Sequence, residues 1–333
     1  MGCRHWGRFA LREVARFALL MLAVSFVTFA LVAASPIDPV QANTGQVALL
    51  SMSAAKRASL AARWGVGAPL GERYLSWLGD ALQGNLGTSL RFNEPVLCVL
   101  GERFANSVAL LFNAWLFSGL LGFALGVIAG VYRGSLFDRI VKGYCYVLSA
   151  TPTFWLAVVL LMIFSVRLGW FPLGFSSAIG SAAETADWGE RLYHLVLPAI
   201  TLSVTGVSNV ALHTREKTID VMSTNYVRFA RTRGERGWPL IRRHGLRNLL
   251  LPALTLQCAS ISEIFGGSVL VEQVFSYPGL GQAAVTAGLG GDAPLLVGIA
   301  LASSALVFGG NLVADLVYGL IDPRMKGSAT HVS

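Results

Sequence analysis

Residues 214–248 read TREKTIDVMSTNYVRFARTRGERGWPLIRRHGLRN, and an apolar run stands on either side of them. This segment, here called the basic loop, contains nine lysine and arginine residues against three acidic residues. Positive charge resists translocation across a bilayer, so a basic loop between two apolar runs indicates the inner side of a membrane. The basic loop therefore predicts a membrane protein and orients the rest of the chain.

The overall composition agrees with a membrane protein. Of 333 residues, 54% are hydrophobic and only 13% are charged, whereas soluble domains carry about a quarter charged residues. The net charge of +8 is concentrated on one side of the predicted membrane, which argues against a nucleic-acid-binding face on a soluble domain. The four cysteines and five histidines are scattered without the spacing of a metal site.

Six apolar segments are each long enough to cross a bilayer. They comprise residues 17–35, 104–132, 143–166, 192–214, 249–271 and 293–314. Pro152 lies within the third segment, where a membrane helix can tolerate it. The first segment could instead be a signal peptide, because arginines precede it and Ala33-Ala34-Ser35 follows it. It is longer than the usual apolar core of about 7 to 15 residues, so we expect an uncleaved span.

The distribution of basic residues orients the six spans. With the N-terminus inside, 18 of the 26 lysines and arginines fall on the inner side. Six of the other eight lie in one outer loop, 36–103, whose length weakens their topological effect. We therefore predict an all-α membrane protein with six transmembrane helices and both termini cytoplasmic. The predicted parts are a tail with the first span (1–35), a helical extracytoplasmic insertion (36–103), a five-span core containing the basic loop (104–322) and a cytoplasmic tail (323–333).

The long outer loop has helical patterning of its own. Ser53 can cap a helix over 54–64 that ends at Gly65. A second amphipathic helix is indicated by apolar residues at three- and four-residue spacing, namely Tyr74, Leu75, Trp77, Leu78, Ala81 and Leu82. The loop is either a lid on the outer ends of the spans or a platform for an extracytoplasmic partner, and the two interpretations are compatible.

The basic loop itself predicts a short helix. Ser223, Thr224 or Asn225 can cap its start, and Gly234 can end it in the left-handed conformation. Helical spacing places four residues on one face, namely Tyr226, Phe229, Ala230 and Arg233. A second segment runs from Trp238 into Pro252. A short helix tied stiffly to two spans can pass the motion of a soluble partner into the membrane.

Several motifs resemble one family of membrane proteins. The basic loop contains YVRFARTRG at 226–234 and RHGLRN at 243–248. Further motifs are GNLGTS at 84–89, PTFWLA at 152–157, Gly266-Gly267 followed by VEQVFSYPGLG at 271–281, and DPR at 322–324. Together, and in this order, they resemble the permeases of ABC importers, and most closely the branch that serves dipeptides, oligopeptides and nickel. The resemblance covers nearly the whole chain.

The resemblance implies an assembly in the bacterial inner membrane. Its other members would be a second, similar permease, two ABC ATPase subunits and an extracytoplasmic solute-binding protein. Residues 226–234 would be the coupling helix, seated in a cleft of the ATPase. The residues that it implies for ATPase coupling are Tyr226, Phe229, Ala230, Arg231, Gly234, His244, Arg247 and Asn248. Arg228-Phe229 replace the first two residues of the Glu-Ala-Ala opening found in the wider superfamily, a departure usual in the peptide and nickel branch.

No Gly-x-x-x-x-Gly-Lys-Ser/Thr phosphate loop occurs in the chain. We therefore expect a non-catalytic subunit that binds no cofactor or metal directly, with ATP used by the partner ATPase subunits. Part of the basic loop is also expected to hold anionic headgroups of membrane lipids, and no nucleic acid is expected to bind.

The spans offer three candidate residues for a translocation path. Glu263 is the sole acidic residue deep within a span, and such acids are functional candidates. It could line the path or meet a cationic part of the solute, or it could be hydrogen-bonded or protonated within the bundle. Gly266 and Gly267 could contact solute or permit close helix packing. Strings of the third and fifth spans resemble both nickel and peptide permeases, so a peptide and a nickel or other metal chelate both remain open as the solute.

Two other functional classes deserve comparison with an ABC permease. A secondary, ion-coupled transporter would favour inverted repeats and interrupted helices around a midplane site, and the sequence shows no convincing repeat. An intramembrane enzyme would need a nucleophile with its base or a metal site, and neither Gly-x-Ser-x-Gly nor His-Glu-x-x-His occurs.

Overall fold

A computed structural model describes residues 3–37, 39–44, 52–55, 59, 69–174 and 188–321. Within these residues every named element is helical, and one isolated β-bridge joins Thr88 and Pro95. The helices are α1 (Cys3–Ala34), α2 (Pro39–Thr44), α3 (Leu70–Leu82), α4 (Val96–Val131), α5 (Leu136–Ser149), α6 (Thr153–Leu160), α7 (Trp188–Ser223), α8 (Asn225–Thr232), α9 (Trp238–Leu240), α10 (Leu246–Ala259), α11 (Ile261–Val274), α12 (Leu280–Gly290) and α13 (Ala293–Ile321). Two π-helical turns, Leu161–Arg167 and Ile241–Gly245, continue α6 and α9.

The predicted spans correspond to helices of suitable length. The helices α1, α4, α7 and α13 each contain an apolar stretch long enough to cross a membrane. Two bent pairs, α5 with α6 and α10 with α11, meet the same requirement if each pair is one span, which gives up to six in the described residues. The prediction of an all-α membrane protein is confirmed. The cytoplasmic placement of both termini stays a prediction.

The third span is not the single helix predicted over 143–166. The chain turns by 106° between α5 and the segment that begins at Thr153. Pro152 has the extended backbone φ −62°, ψ 133°. Proline lacks an N–H and disfavours the α conformation in the residue before it, here Thr151. For this reason α5 ends before the dipeptide Thr151-Pro152, and α6 begins after it.

The fifth span, predicted over 249–271, is also divided. The helices α10 and α11 meet at Ser260 with a bend of 47°. The Ser260 hydroxyl donates to the carbonyl of Gln257, and such local bonds compete with the regular helical hydrogen bonds. Pro252, in contrast, lies inside α10 without ending it.

The chain divides into two compact units, of which one comprises Val108–Tyr277 and Gly309–Ser333. In this unit α4 meets α7 along three glycines spaced four residues apart. A Cβ atom at Gly122, Gly126 or Gly130 would lie only 2.5 to 2.7 Å from an atom of α7. Glycines on one helix face allow such close backbone approach between membrane helices. Trp115 of α4 makes a polar contact with α10, since its Nε1–H donates to the carbonyl of Gln257 at 2.7 Å.

The other unit comprises Met1–Ser107 and Pro278–Phe308. The predicted amphipathic helix of the outer loop is present as α3. Its Trp77 is buried with Phe29 of α1 and Val297 of α13, so α3 packs against two of the apolar helices. Leu75 and Leu82 are exposed, so the buried face is narrower than predicted.

A buried carboxylate joins the outer loop to the start of α13. Asp292 has no exposed surface and accepts hydrogen bonds from the Ser89 hydroxyl at 2.6 Å and the Arg91 N–H at 3.0 Å. It also accepts the Leu295 N–H at 3.2 Å, which caps α13. The motif at 84–89 thus ends on a residue that ties the loop to a span. The helix predicted over 54–64 falls mostly, and the motif at 322–324 entirely, outside the described residues.

Candidate functional site

The basic loop begins as a continuation of α7. This helix extends to Ser223, nine residues beyond the predicted end of the fourth span, which adds about 13 Å at a rise of 1.5 Å per residue. The extension is held by an ion pair: Arg215 Nε and Nη2 donate to the two carboxylate oxygens of Asp138 at 2.5 and 2.9 Å. Asp138 is fully buried and also accepts the Gly134 N–H. The basic loop is thereby anchored to the first turn of α5.

The predicted short helix is present as α8. Thr224 occupies its cap position, as one of the three predicted candidates, although its hydroxyl donates back to the Val221 carbonyl. At the other end the Glu235 N–H donates to the Ala230 carbonyl, and Gly234 N–H to Arg231. This pair of bonds is a Schellman motif, which needs a residue of positive φ. Gly234 supplies it with φ +90°, so the predicted helix end is confirmed.

The two faces of α8 differ from the predicted arrangement. Tyr226 and Phe229 are 44% and 65% exposed, and Arg233 is exposed with them. Ala230, predicted on the same face, is 4% exposed and packs with Val227 and Leu240 in a small core of the loop itself. The small side chain of Ala230 therefore permits packing within the loop, and the exposed face of α8 consists of aromatic and basic residues.

Two polar contacts connect α8 to the segment that leads into α10. Asn248 Nδ2 donates to the Tyr226 hydroxyl at 2.8 Å. His244 Nε2 lies 3.0 Å from Glu235 Oε2, and Arg243 Nη1 lies 3.6 Å from Glu235 Oε1. Three residues of the predicted coupling set (Tyr226, His244 and Asn248) thus lie in one network. We call the contacts Tyr226–Asn248 and Glu235–His244 the two braces.

The exposed surface of the basic loop carries concentrated positive charge. Six of its arginines are exposed, namely Arg228, Arg231, Arg233, Arg236, Arg242 and Arg243. Arg247 lies in α10, and its side chain falls outside the described part of the structure. This surface suits an acidic protein surface or anionic lipid headgroups.

A second candidate region is a polar facet on α11 and α13, formed by Ser262, Glu263, Asn311 and Asp315. All four residues are exposed. The Ser262 hydroxyl donates to Asn311 Oδ1 at 3.3 Å. The helices approach closely beside it, because a Cβ at Gly310 would lie 2.8 Å from Ile261 Cγ2. An exposed acid within a span costs about 2.5 to 3.5 kcal/mol or more if it faces lipid. The facet therefore suits contact with protein or water.

The two glycines after Glu263 differ in their surroundings. Gly266 is exposed on the side of Glu263, and a Cβ there would meet no described atom within 4 Å. Gly267 is half-buried, and its Cβ would lie 3.5 Å from Leu202 Cδ2 of α7. Of the predicted path residues, Glu263 and Gly266 thus share an open face, while Gly267 lies at a helix contact.

Three other titratable residues, His194, His213 and Tyr277, lie outside the basic loop and the polar facet. The His194 Nδ1 lies 2.7 Å from the Gly174 carbonyl and is buried, whereas His213 is exposed. Burial raises the pKa of the Tyr277 hydroxyl, and the carboxylate of Glu272 raises that pKa further, so this phenol stays neutral. Among the described residues, no three His, Cys, Asp or Glu side chains are grouped as a metal site requires.

Sequence reasoning missed the residues that hold the basic loop in place. Arg215 was counted only as one of nine basic residues and Asp138 was not considered, although Ser135 and Asp138 form a recognisable cap, with the Asp138 N–H donating to Ser135 Oγ at 3.2 Å. Glu235 was counted only as one of three acidic residues in a basic segment, and no local pattern indicated that it contacts His244. Such long-range partners have no signature in one sequence.

Comparison with known proteins agrees with this geometry. Residues 122–327 match the family described as binding-protein-dependent transport system inner membrane component. The chain is 32% identical over 308 residues to the oligopeptide transport system permease protein AppB of Bacillus subtilis, covering 92% of this chain and 95% of that protein. It is 33% identical over 333 residues to the di/tripeptide transport system permease protein DppB of Pseudomonas aeruginosa, covering 96% and 98%.

A third relative gives the same picture. The dipeptide transport system permease protein DppB of Escherichia coli K12 is 30% identical over 339 residues, covering 96% of this chain and 98% of that protein. The match extends over almost the full length of each relative. This chain therefore belongs to the inner-membrane components of binding-protein-dependent transport systems, and it is the permease subunit of an ABC importer.

Proposed function

We propose that this permease forms one half of the translocation path for a peptide, and that it carries out no chemistry itself. The similarity to three peptide permeases over at least 92% of the chain is the observation that supports this solute class. A nickel or other metal chelate is the second candidate, supported only by the motif resemblance of the third and fifth spans. The relatives described above are named for peptides, which favours the peptide.

The assembly would contain four further subunits. A second six-span permease completes the path, two ABC ATPases bind the inner loops, and an extracytoplasmic protein delivers the solute. ATP binding closes the ATPase pair, and the docked loops then bias the spans toward the outward-open state, because the nucleotide-bound pair binds that state better. No cofactor is assigned to this chain, and ATP is bound by its partners.

The ATPase contact is assigned to α8 and the segment after it. Phe229 supplies the most exposed apolar group of α8, and aromatic and arginine residues commonly anchor protein interfaces. Arg231 and Gly234 flank it, and Gly234 leaves room for a close partner because its Cβ would meet no described atom within 4 Å. Arg247 is assigned to this surface from the motif alone. Ala230 contributes through the packing of α8.

Two variants test this contact. Phe229→Ala is expected to lower the amount of ATPase that co-purifies with the permease by about tenfold or more, since interface anchors contribute at least ~2 kcal/mol. Thr232→Val changes an exposed, uncharged residue of α8 that belongs to none of the assigned contacts, and it should leave co-purification near the wild-type level. Gly234→Arg should abolish uptake while membrane insertion remains normal. Normal uptake by a well-expressed Gly234→Arg protein would contradict the coupling assignment.

The translocation path is assigned to the polar facet, with Glu263 and Gly266 lining it and Gly267 supporting it by helix packing. A cysteine at position 263 or 266, in a chain without its native cysteines, should react with a hydrophilic thiol reagent. A cysteine at Leu19, which is 73% exposed on apolar α1 and expected to face lipid, should not react. Equal protection of all three cysteines would rule out an aqueous path at this facet.

The solute and the energy source are tested together. The tagged permease is purified from gently solubilised membranes, its partners are identified by mass spectrometry, and the complex is reconstituted with its binding protein in ATP-filled vesicles. An isotope-labelled mixture of di- to hexapeptides is added outside, and the imported peptides are identified by mass. ATP-dependent peptide import is expected. Import of nickel chelates alone would select the second solute class, and import driven by a proton gradient without ATP would indicate a secondary transporter.

A further inference from the structure

The helix α8 is connected at both ends to the segment that begins the fifth span. Tyr226 lies in the first turn of α8 and Glu235 lies just beyond its last. Their partners, Asn248 and His244, are one helical turn apart, and the Asn248 side chain also reaches the His244 carbonyl at 3.4 Å. The two braces therefore attach opposite ends of one short helix to a single turn.

Hydrophobic packing alone does not fix the direction of α8. The loop core formed by Val227, Ala230 and Leu240 is small, and apolar contact is non-directional. Between α7 and α8 the chain is extended at Thr224, so helical hydrogen bonding is interrupted there. Hydrogen bonds depend strongly on distance and angle. Two such contacts at opposite ends of α8 restrict both its tilt and its rotation about its own axis.

The braces are too exposed to be the main source of stability. Tyr226 is 44% exposed, and the side chains of His244 and Glu235 are 29% and 24% exposed. A solvent-accessible hydrogen bond contributes little net stability, because water replaces it when it breaks. These contacts therefore add little to the stability of the fold, and their geometry points to a different role.

We propose that Tyr226, Asn248, Glu235 and His244 are positioning residues that make the coupling helix move as one body with α10, so that a displacement of α8 reaches the fifth span directly. This inference rests on the proposed function of α8 as the ATPase contact. The fifth span continues into α11, which carries Glu263 of the polar facet. The braces thus add a direct noncovalent connection between α8 and the start of the fifth span to the covalent one that runs through residues 233–245.

The test is a double-mutant cycle on the coupling ratio, defined as peptide imported per ATP hydrolysed by the reconstituted complex. The variants are Tyr226→Phe, which removes one hydroxyl, Asn248→Ala, and both together, with the same isotope-labelled peptide mixture as the probe. Each single variant is expected to lower the ratio by about two- to tenfold, the size of one hydrogen bond. The double variant should lower it no further than the larger single loss, because both changes remove the same contact.

A second cycle uses Glu235→Ala and His244→Ala with the same expectation. The matched control is Thr232→Val, because the Thr232 hydroxyl also lies on α8 but donates within the helix, to the Phe229 carbonyl at 2.7 Å. Its coupling ratio should equal that of the wild type. A role limited to folding would lower complex yield, ATPase activity and import in proportion, which leaves the ratio unchanged.

The outcomes separate this inference from the function on which it rests. Non-multiplicative losses of the ratio in both cycles support the braces as positioning contacts. Unchanged ratios, or losses that multiply in the double variants, overturn the inference while the ATP-dependent import by the wild-type complex stands. Absence of any ATP-dependent import by the wild-type complex would refute the proposed function and the inference together.

Discussion

The glycine contact between α4 and α7 allows a sharp test of how closely these helices pack. Replacing Gly126 by alanine would place a Cβ atom 2.6 Å from the backbone oxygen of Ala211 and 2.7 Å from Thr214 Cβ. An ordinary Cβ contact begins at 3.4 Å. The neighbouring atom is backbone, so it cannot rotate away as a flexible side chain would. The two helices must separate locally by about 0.8 Å at this point.

The energetic cost follows from that separation. A gap of 0.5 to 1 Å forfeits about a quarter to a half of the dispersion attraction between facing atoms, and overpacking of this kind costs about 1 to 3 kcal/mol. Alanine is also more favourable than glycine within a helix by about 1 kcal/mol, and this gain offsets part of the stability lost through the clash. The matched control Gly101→Ala lies in the same helix, where a Cβ meets no described atom within 4 Å. It receives the gain in helix propensity without the clash.

The two variants are compared by thermal unfolding of the detergent-solubilised complex with a thiol-reactive dye. Cys145 and Cys258 are buried, and Cys145 packs with Ala211, so its exposure reports on this region. Cys3 and Cys98 are first changed to serine. The midpoint of Gly126→Ala should lie about 2 to 12 °C below that of Gly101→Ala. A midpoint equal to or above that of the control would refute the close approach of α4 and α7.

Three further substitutions have expected outcomes from buried contacts. The first two are measured by the same unfolding assay, and the third is measured by the yield of complex. Asp138→Asn should lower the free energy of unfolding by about 3 to 5 kcal/mol, since it leaves Arg215 without its buried carboxylate; a loss below 1 kcal/mol would contradict this. Asp292→Ala removes three accepted hydrogen bonds and the α13 cap and should lower stability by at least ~2 kcal/mol, with a wild-type midpoint as the contrary result. Gly174→Ala should prevent normal assembly, because its φ is +154° and a Cβ would overlap the Phe275 carbonyl; a normal yield of complex would exclude that conformation.

The sequence was sufficient for features that depend on local pattern. Apolar runs of about twenty residues predicted the spans, because the bilayer sets their length. The position of Gly234 predicted the end of α8, since glycine readily adopts the positive φ that a Schellman motif requires. Helical spacing predicted α3. Each of these depends on the chemistry of residues within one or two turns of each other.

The features that were not predicted depend on partners distant in sequence. Ala230 fits the exposed face of an isolated helix, but Leu240 in the following segment packs with it and makes that side internal. The bends at Pro152 and Ser260 were not predicted, because the sequence is apolar on both sides of each. An apolar run indicates how long a span is but not the direction of its helix axis. The Asp138–Arg215 pair joins residues 77 positions apart, and a single sequence offers many charges of opposite sign to pair.

The bend of the fifth span has a consequence for how the candidate path is arranged. The brace residue Asn248 and the facet residue Glu263 lie on opposite sides of Ser260, the residue at which α10 and α11 meet at 47°. A straight helix would carry a displacement along one axis, whereas a bent one converts a push along α10 into a sideways movement of α11. The close contact of Gly310 with Ile261 lies at the start of α11, so this movement would be shared with α13. The acidic side chains of the polar facet would then move together, because Glu263 and Asp315 lie on the two helices joined at that contact.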